Sequence, residues 1–352
     1  MTADRLPAVT GVARPIAPAD SDTLTEDAAR LVGEGLAANT RTAYAHDWAA
    51  YLRWCAERGL DPLPASEVTL ANYVAHLTVT PTIKGTPHSP SSIDRAVACI
   101  LAAHDHAGAT KPGTKAARLA LRAYRRQQIK AGHRTKKAPP ITIERLREIV
   151  SAMPHDTVKG RRDRAIVVLG FAMMARRSEL AGLDIGDLTF TDDGIEVLVA
   201  TSKTDKDSAG QTVAIRYGSR RETCPVRVVK AWLADLAAQG ITSGAMFRPV
   251  DRSGRIGDSG VVRAGRGTGE RLTGHGINYI IKQATRAAGL ANAGSYSAHG
   301  LRSGGATSAA KSGKSLPQIA RHGRWDEEST VVAGYVRDTD KWTDNAMSDV
   351  GL

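Results

Sequence analysis

The sequence predicts a mainly α-helical protein with a small antiparallel β-sheet, laid out as a helical domain followed by a mixed α/β domain. Three observations carry that expectation. Four stretches between residues 39 and 132 repeat apolar side chains at helical spacing and run out at or near a glycine. The run AGHRTKKAPP then loses all periodicity and closes on paired prolines, which stop a helix. Beyond it, among further helical patterns, lies one β-rich segment, DLTFTDDGIEVLVATSKTDKDSAGQTVAIRYG. Its IEVLVA and TVAIRY runs flank a Gly-, Asp- and Ser-containing middle, as a hairpin would.

In chain order, residues 1 to about 35 read as a mobile tail rich in Ala, Pro, Asp and Thr. The first helix opens at NTRTAYAHDWAAYLRWCAERGL, with Asn39 or Thr40 as its cap, Gly59 as its stop, and Tyr44, Trp48, Tyr51, Leu52 and Cys55 at helical spacing. In PASEVTLANYVAHLT, Ser66 caps and Val68, Leu70, Val74 and Leu77 face inward. The third helix, SPSSIDRAVACILAAHDHAG, starts on Ser and Pro and stops at Gly108. TKAARLALRAYRRQQIKAG makes the fourth. The second half begins at ITIERLREIVSAMP and continues through the buried-looking RRDRAIVVLGFAMMARRSELAGL. After the hairpin, helices return at CPVRVVKAWLADLAAQG and GINYIIKQATRAAGL, with a Gly- and Arg-rich loop over 248–271 between them.

The chain has 352 residues, 42% of them hydrophobic but only 5% aromatic, and a formal net charge of +12. The length favours two domains, and the charge favours a polyanionic partner, nucleic acid before membrane. Three scattered cysteines, Cys55, Cys99 and Cys224, fit neither a disulfide framework nor a zinc site, so a reducing interior and no metal are expected. The N-terminus lacks the order of a signal peptide, and no stretch is apolar for long enough to span a bilayer; a cytoplasmic, nucleoid-associated protein is the expectation.

The positive charge is unevenly placed. From Lys111 to Pro140 there are ten Lys or Arg residues and no Asp or Glu. Lys115, Arg118, Arg122 and Arg125 fall three and four apart and make one stripe on the fourth helix, while Lys136 and Lys137 make the linker basic. With Arg41 on the first helix and Ser91 and Arg95 on the third, these are the candidate DNA contacts.

Candidate chemistry lies in the second half. In AHGLRSGGATSAAKSG, His299 and Arg302 stand three apart at a helix start, on one face, where together they can hold an anion. Small residues follow, Gly304, Gly305 and Ala306, which would let a neighbouring helix or a duplex come close. Arg176 precedes Ser178 and Glu179 at a bend between helices. Lys203 lies between the two strand patterns. Near the C-terminus are Trp325 and Tyr335, the latter the one tyrosine after the His–Arg pair. Singly, each has an ordinary explanation: a solvated lysine, a surface ion pair, a packed tyrosine.

Taken in order, these residues resemble the tyrosine recombinase family, also called the phage integrase family. The resemblance spans about residues 36 to 345 and is strongest at ARRSELAGLDIGDL, HGLRSGGATSAA and GRWDEESTVVAGYVR. It implies that Arg176, Lys203, His299, Arg302, Trp325 and Tyr335 are catalytic, with Tyr335 the nucleophile, Lys203 the hairpin lysine and Trp325 at a position that holds His or Trp. Lys206 is a second lysine in the same hairpin, and Lys203 is the preferred of the two. The gap from Trp325 to Tyr335 is one residue longer than the commonest spacing. The layout implied is a tail over 1–35, a helical, SAM-like core-binding domain that contacts DNA over 36–130, a basic linker over 131–140, a catalytic domain over 141–345 and a short tail over 346–352.

The resemblance also implies a reaction. Tyr335 attacks a DNA phosphodiester to leave a 3′-phosphotyrosine, which a 5′-hydroxyl of a second strand then resolves. Two guanidiniums suit the non-bridging oxygens, because they are planar, forked and permanently charged. A histidine can donate a hydrogen bond and move the tyrosine proton, and an ammonium can protonate the leaving oxygen. No cofactor is implied. The partners implied are duplex recombination sites and a homotetramer formed through the segment DKWTDNAMSDVGL, and accessory DNA-bending proteins are compatible with it. A type IB topoisomerase and an inactive DNA-binding relative are the alternatives.

Overall fold

In the computed structural model the residues described are 38–133, 138–200, 210–257, 270–326, 329–340, 347 and 350. The expected N-terminal tail, the linker residues Lys136 and Lys137, and Lys203 with Lys206 lie outside them. By packing, the chain divides into two compact units, Met1–Thr135 and Lys136–Leu352.

The described part of the first unit has four helices: α1 (Ala38–Ala56), α2 (Glu67–Val79), α3 (Pro90–His106) and α4 (Lys115–Lys130). α1 starts at Ala38, so Asn39 and Thr40 belong to its first turn and do not cap it; the strong helix former Ala38 lengthens the helix by a residue. Ser66 caps α2 by accepting from the Thr69 N–H, and Ser89 caps α3 ahead of Pro90 by accepting from the Ser92 N–H. Gly59 and Gly108, both at positive φ, follow the ends of α1 and α3. The core gathers Tyr51, Trp54, Cys55, Leu70, Tyr73, Val74, Ile93, Val97, Ile100, Leu121 and Tyr124.

Two inward assignments change. Leu52 and Val68 are exposed, and Trp54 and Tyr73 take the inner face. The rings of Tyr51 and Trp54 lie 5.0 and 5.1 Å from that of Tyr73, so an aromatic contact joins the two inner faces beside Cys55, Leu70 and Val74. Buried His104 links α3 to the start of α2. Its Nε2 accepts from the Ala65 N–H at 2.8 Å, and its Nδ1–H donates to the Ile100 carbonyl at 2.7 Å, which defines a neutral tautomer.

The second unit contains α5 (Ile143–Ser151), α6 (Val158–Ala172), α7 (Arg177–Gly182), β1 (Leu188–Phe190), β2 (Gly194–Val199), β3 (Gln211–Arg216), α8 (Pro225–Ala238), α9 (Gly274–Ala287), α10 (Ala298–Lys311), α11 (Leu316–Gly323) and α12 (Thr330–Asp340). The strands form one antiparallel sheet in the order β1-β2-β3, with Val197 opposite Leu188 and Val213. Ile195, Val197 and Val199 alternate inward on β2 and meet Val213 and Ile215 of β3, so one face of the sheet enters the core and the other faces water. α6 is buried from Ala165 to Gly170 and packs against α8 and α10, as an all-round apolar helix must. The described parts of the 248–271 region have no helix or strand, only an isolated bridge between Val250 and Ile256.

The small residues of α10 receive this chain's own backbone, not an external surface. The Ile141 N–H donates to the Gly300 carbonyl at 2.8 Å, and the Ile143 N–H donates to Ser308 Oγ at 3.0 Å. A Cβ on Gly304 would lie 1.8 Å from the Ile141 carbonyl oxygen, and one on Gly300 would lie 2.6 Å from that of Pro139. Gly300, Gly304 and Ser308, four apart, thus form a groove along α10 for the segment that leads into α5. On the neighbouring face Gly305 abuts the Phe171 carbonyl at the end of α6.

Gly304→Ala is therefore expected to cost about 3 kcal/mol, at the upper end of overpacking effects. Gly182→Ala, where an added Cβ meets nothing within 4 Å, serves as control. Urea unfolding followed by circular dichroism measures both, and equal midpoints for the two variants would contradict the close approach.

Candidate active site

The site is built where α6 ends. The carbonyls of Leu169, Gly170 and Phe171 accept from backbone N–H groups, and those of Ala172, Met173 and Met174 follow where the chain turns, Met174 at φ 48°. Three cationic or donor side chains from far along the sequence occupy those carbonyls. His322 donates from Nε2 to the Ala172 carbonyl at 2.7 Å, Arg324 donates to that of Met173 at 3.2 Å, and Arg302 donates to that of Met174. Basic groups at a helix C-terminus also meet the negative end of its dipole.

Arg176 follows this bend as the N-cap residue of α7. Glu179, three residues on, returns one carboxylate oxygen to the Arg176 backbone N–H at 2.8 Å and the other to its guanidinium at 2.6 Å. Arg324 donates to the same carboxylate at 2.6 Å, and its own carbonyl accepts from Arg176 at 3.4 Å. Glu179 and Arg324 are almost wholly buried, with side chains 1% and 2% exposed. Burial alone would raise the Glu179 pKa, but Arg324, the Arg176 N–H and the Arg176 guanidinium together bring it below the usual carboxylate range. It stays ionised.

Arg302, from the second turn of α10, is 3% exposed. Its guanidinium lies over the Trp325 ring at 3.7 Å, a stacking cation–π contact. The buried Nη2 has no hydrogen-bond partner among the described residues. Burial, and next the charge of Arg176, lower its pKa to about 9, which still leaves it charged at neutral pH. A buried charged nitrogen without an acceptor is costly, and its cost falls when an anion supplies one.

Trp325 also meets Tyr335, at 5.9 Å between ring centres. Both pack on a small cluster of Met174, Ala306, Ile319, Ala320 and Val332, which seats α12 against α10 and α11. The Tyr335 hydroxyl is 3.4 Å from His299 Nε2. Burial lowers the His299 pKa, and Arg302 lowers it further. Burial raises that of Tyr335, against a smaller opposite effect of Arg302. At neutral pH the pair is thus a neutral imidazole beside a protonated phenol.

Of the six residues expected to be catalytic, the structure brings Arg176, His299, Arg302, Trp325 and Tyr335 together; Lys203 falls outside the described residues. Arg324 and the bridging use of Glu179 were missed. Glu179 had a local signal, a carboxylate three residues after a helix start. Arg324 had none, since its partners are 145 and 151 residues away.

The candidate DNA contacts divide. Ser91, Arg95, Arg118 and Arg125 line one groove of about 410 Å³ between α3 and α4. Lys115 and Arg122 are exposed on α4, and Arg41 on α1. The stripe is less bare than the sequence suggested: Asp94 of α3 pairs with Arg125 at 3.2 Å, and Asp47 of α1 holds Arg95 through two bonds at 2.7 and 3.0 Å. A larger basic cavity of about 820 Å³, lined by Arg161, Arg164, Arg221, Arg227 and Lys230 among others, has none of the motif residues among its described lining.

Three guanidiniums around one carboxylate carry net positive charge, and a phenol stands at their edge. That combination can hold an oxyanion beside a tyrosine hydroxyl. Comparison with known proteins agrees. Residues 140–341 match the phage integrase family. The integrase/recombinase xerD homolog of Selenomonas ruminantium is 32% identical over 94% of this chain and 90% of its own length. Recombinase cre of Escherichia phage P1 is 24% identical over 84% of this chain and 82% of its own. Among solved structures, the Tn1549 transposon integrase in complex with transposon right end DNA has the same fold, with a TM-score of 0.56 at 15% identity, over 89% of this chain and 95% of that one. The chain belongs to the phage integrase family, the tyrosine recombinases.

The unmatched Arg302 nitrogen leads to a binding expectation. Sulfate should raise the melting temperature of the wild-type protein more than that of Arg302→Gln, since ligand at about 100 times its dissociation constant adds about 2.7 kcal/mol. Differential scanning fluorimetry over a sulfate series measures this, and identical shifts in both proteins would place the anion elsewhere.

Proposed function

We propose that this protein is a site-specific DNA recombinase that cuts and rejoins strands through a 3′-phosphotyrosine on Tyr335. The observation that carries this reading is the Tyr335 hydroxyl 3.4 Å from His299, beside a buried Arg302 whose Nη2 has no partner among the described residues. In this reading Arg302 and Arg176 grip the two non-bridging oxygens of the scissile phosphate, where charge grows most in the transition state. His299, kept neutral by burial and by Arg302, receives the phenolic proton as the oxygen attacks phosphorus. Lys203 protonates the leaving 5′ oxygen. Trp325 packs against both the Arg302 guanidinium and the tyrosine ring. The bond energy stays in the phosphotyrosine, and a 5′-hydroxyl from a second strand reverses the step.

The same reading gives the first unit a role as the core-binding half. Its α3–α4 groove, with Arg95, Arg118 and Arg125, takes backbone phosphates, which position a duplex without reading its sequence. Exchange between two sites needs four subunits, joined through the C-terminal segment. The similarity to recombinases over nearly the whole chain supports exchange over simple relaxation of supercoils.

Tyr335→Phe should abolish covalent protein–DNA adducts on nicked suicide duplexes, while the dissociation constant for DNA changes by less than about 2-fold. Adducts at full yield would remove Tyr335 from the reaction. The single-turnover cleavage rate should be level between about pH 7 and 8 and fall in acid, as His299 takes a proton. Because the His299 pKa is lowered from 6.5, the midpoint of that fall lies below 6.5. A midpoint above it would exclude the neutral imidazole as proton acceptor.

A further inference from the structure

We propose that Arg324, a residue outside the expected catalytic set, is a positioning residue that holds Arg176 against the phosphate by way of Glu179; the proposal rests on the recombinase reading above. Arg324 has φ 58° and ψ 47°, the left-handed region, immediately after α11. Glycine is the usual residue at such a helix end and adopts that conformation at less cost. A buried arginine there is a side chain retained in spite of its backbone.

What the side chain does is visible in its contacts. It donates to Glu179 at 2.6 Å and to the Met173 and His322 carbonyls at 3.2 and 3.3 Å. Its carbonyl accepts from Arg176 at 3.4 Å. Arg176 is thereby held from two directions, by a carboxylate that Arg324 keeps in place and by the Arg324 backbone. Without Arg324, the buried Glu179 carboxylate is left with its ion pair to Arg176 and draws that guanidinium inward, away from an incoming phosphate. Trp325, next in the chain, stacks on Arg302. The turn after α11 therefore aligns both phosphate-facing arginines.

The test compares full-length Arg324→Gly, Arg324→Lys and the double variant Glu179→Gln/Arg324→Gly with wild type on a nicked suicide duplex. Glycine suits the left-handed turn, so the backbone path and its carbonyl are kept. Melting temperature, DNA dissociation constant, final adduct yield and single-turnover rate constant are read separately. The expected result for Arg324→Gly is DNA affinity and final yield near wild type, with a rate constant about 100-fold lower, the loss typical of a misplaced catalytic group. Lysine keeps the charge but not the fork and should recover about 10-fold of it. The double variant should be no slower than Arg324→Gly, because no lone buried carboxylate remains to pull on Arg176.

Rates for folded Arg324→Gly within about 3-fold of wild type overturn the proposal. So does a loss of yield and DNA affinity in step with the loss of folded protein, which marks a purely structural part. Should Arg324→Gly not fold, Arg324→Lys decides: a folded lysine variant at the wild-type rate overturns the proposal, and one slowed with yield intact supports it. A wild-type protein that forms no adduct, or a Tyr335→Phe variant that does, fails the recombinase reading itself, and the proposal falls with it.

Discussion

The second unit is organised around the unfinished C-terminal end of α6. A helix that ends in the interior leaves carbonyls that need donors, and here the chain returns three times to supply them, with Arg302, His322 and Arg324. Satisfying that end pulls α10 and α11 to one place and turns the chain back as α7, which starts on Arg176. The single carboxylate of Glu179 then makes the crowd of guanidiniums tolerable. It is buried and ionised and bridges two of them. The positive charge left over is not an accident of a basic protein; it is concentrated at one buried spot with a donor nitrogen that has no partner among the described residues.

Three consecutive residues show how tightly this is specified. Gly323 has no room for a side chain, since a Cβ there would lie 1.8 Å from the Trp325 ring. Arg324 takes the left-handed turn and reaches Glu179. Trp325 then contacts both Arg302 and Tyr335. A flexible residue, a strained one and a bulky one in sequence give a turn that no regular element could make, and that turn places an indole where the phenol needs a wall.

The fold class could be read from the chain because it rests on local signals: helical spacing, Ser caps at 66 and 89, glycine stops, and one alternating β segment. The site could be read as far as its motifs are local. His299 and Arg302 share one helix, and Arg176 and Glu179 share another turn. What stayed hidden is long-range. Arg324 gains its meaning from Glu179 and Met173, which only folding brings near. Leu52 and Val68 fit the apolar period, yet they are exposed and the rings of Trp54 and Tyr73 lie in the core. The basic stripe on α4 contains no acid of its own, yet Asp94 reaches it from a neighbouring helix. The glycines of α10 read as openings for a neighbouring helix or a duplex; the end of α6 meets Gly305, and the chain's own 139–141 segment fills the space at Gly300 and Gly304.

That segment also gives α10 a mechanical relation to the rest of the chain. The stretch through which the polypeptide enters the second unit is fastened to the backbone of Gly300, between His299 and Arg302. Residues 139–141 are thus bolted to the helix bearing the imidazole and a buried guanidinium. A shift of the Ile141 backbone is passed to that helix directly, backbone to backbone, with no side chain between them.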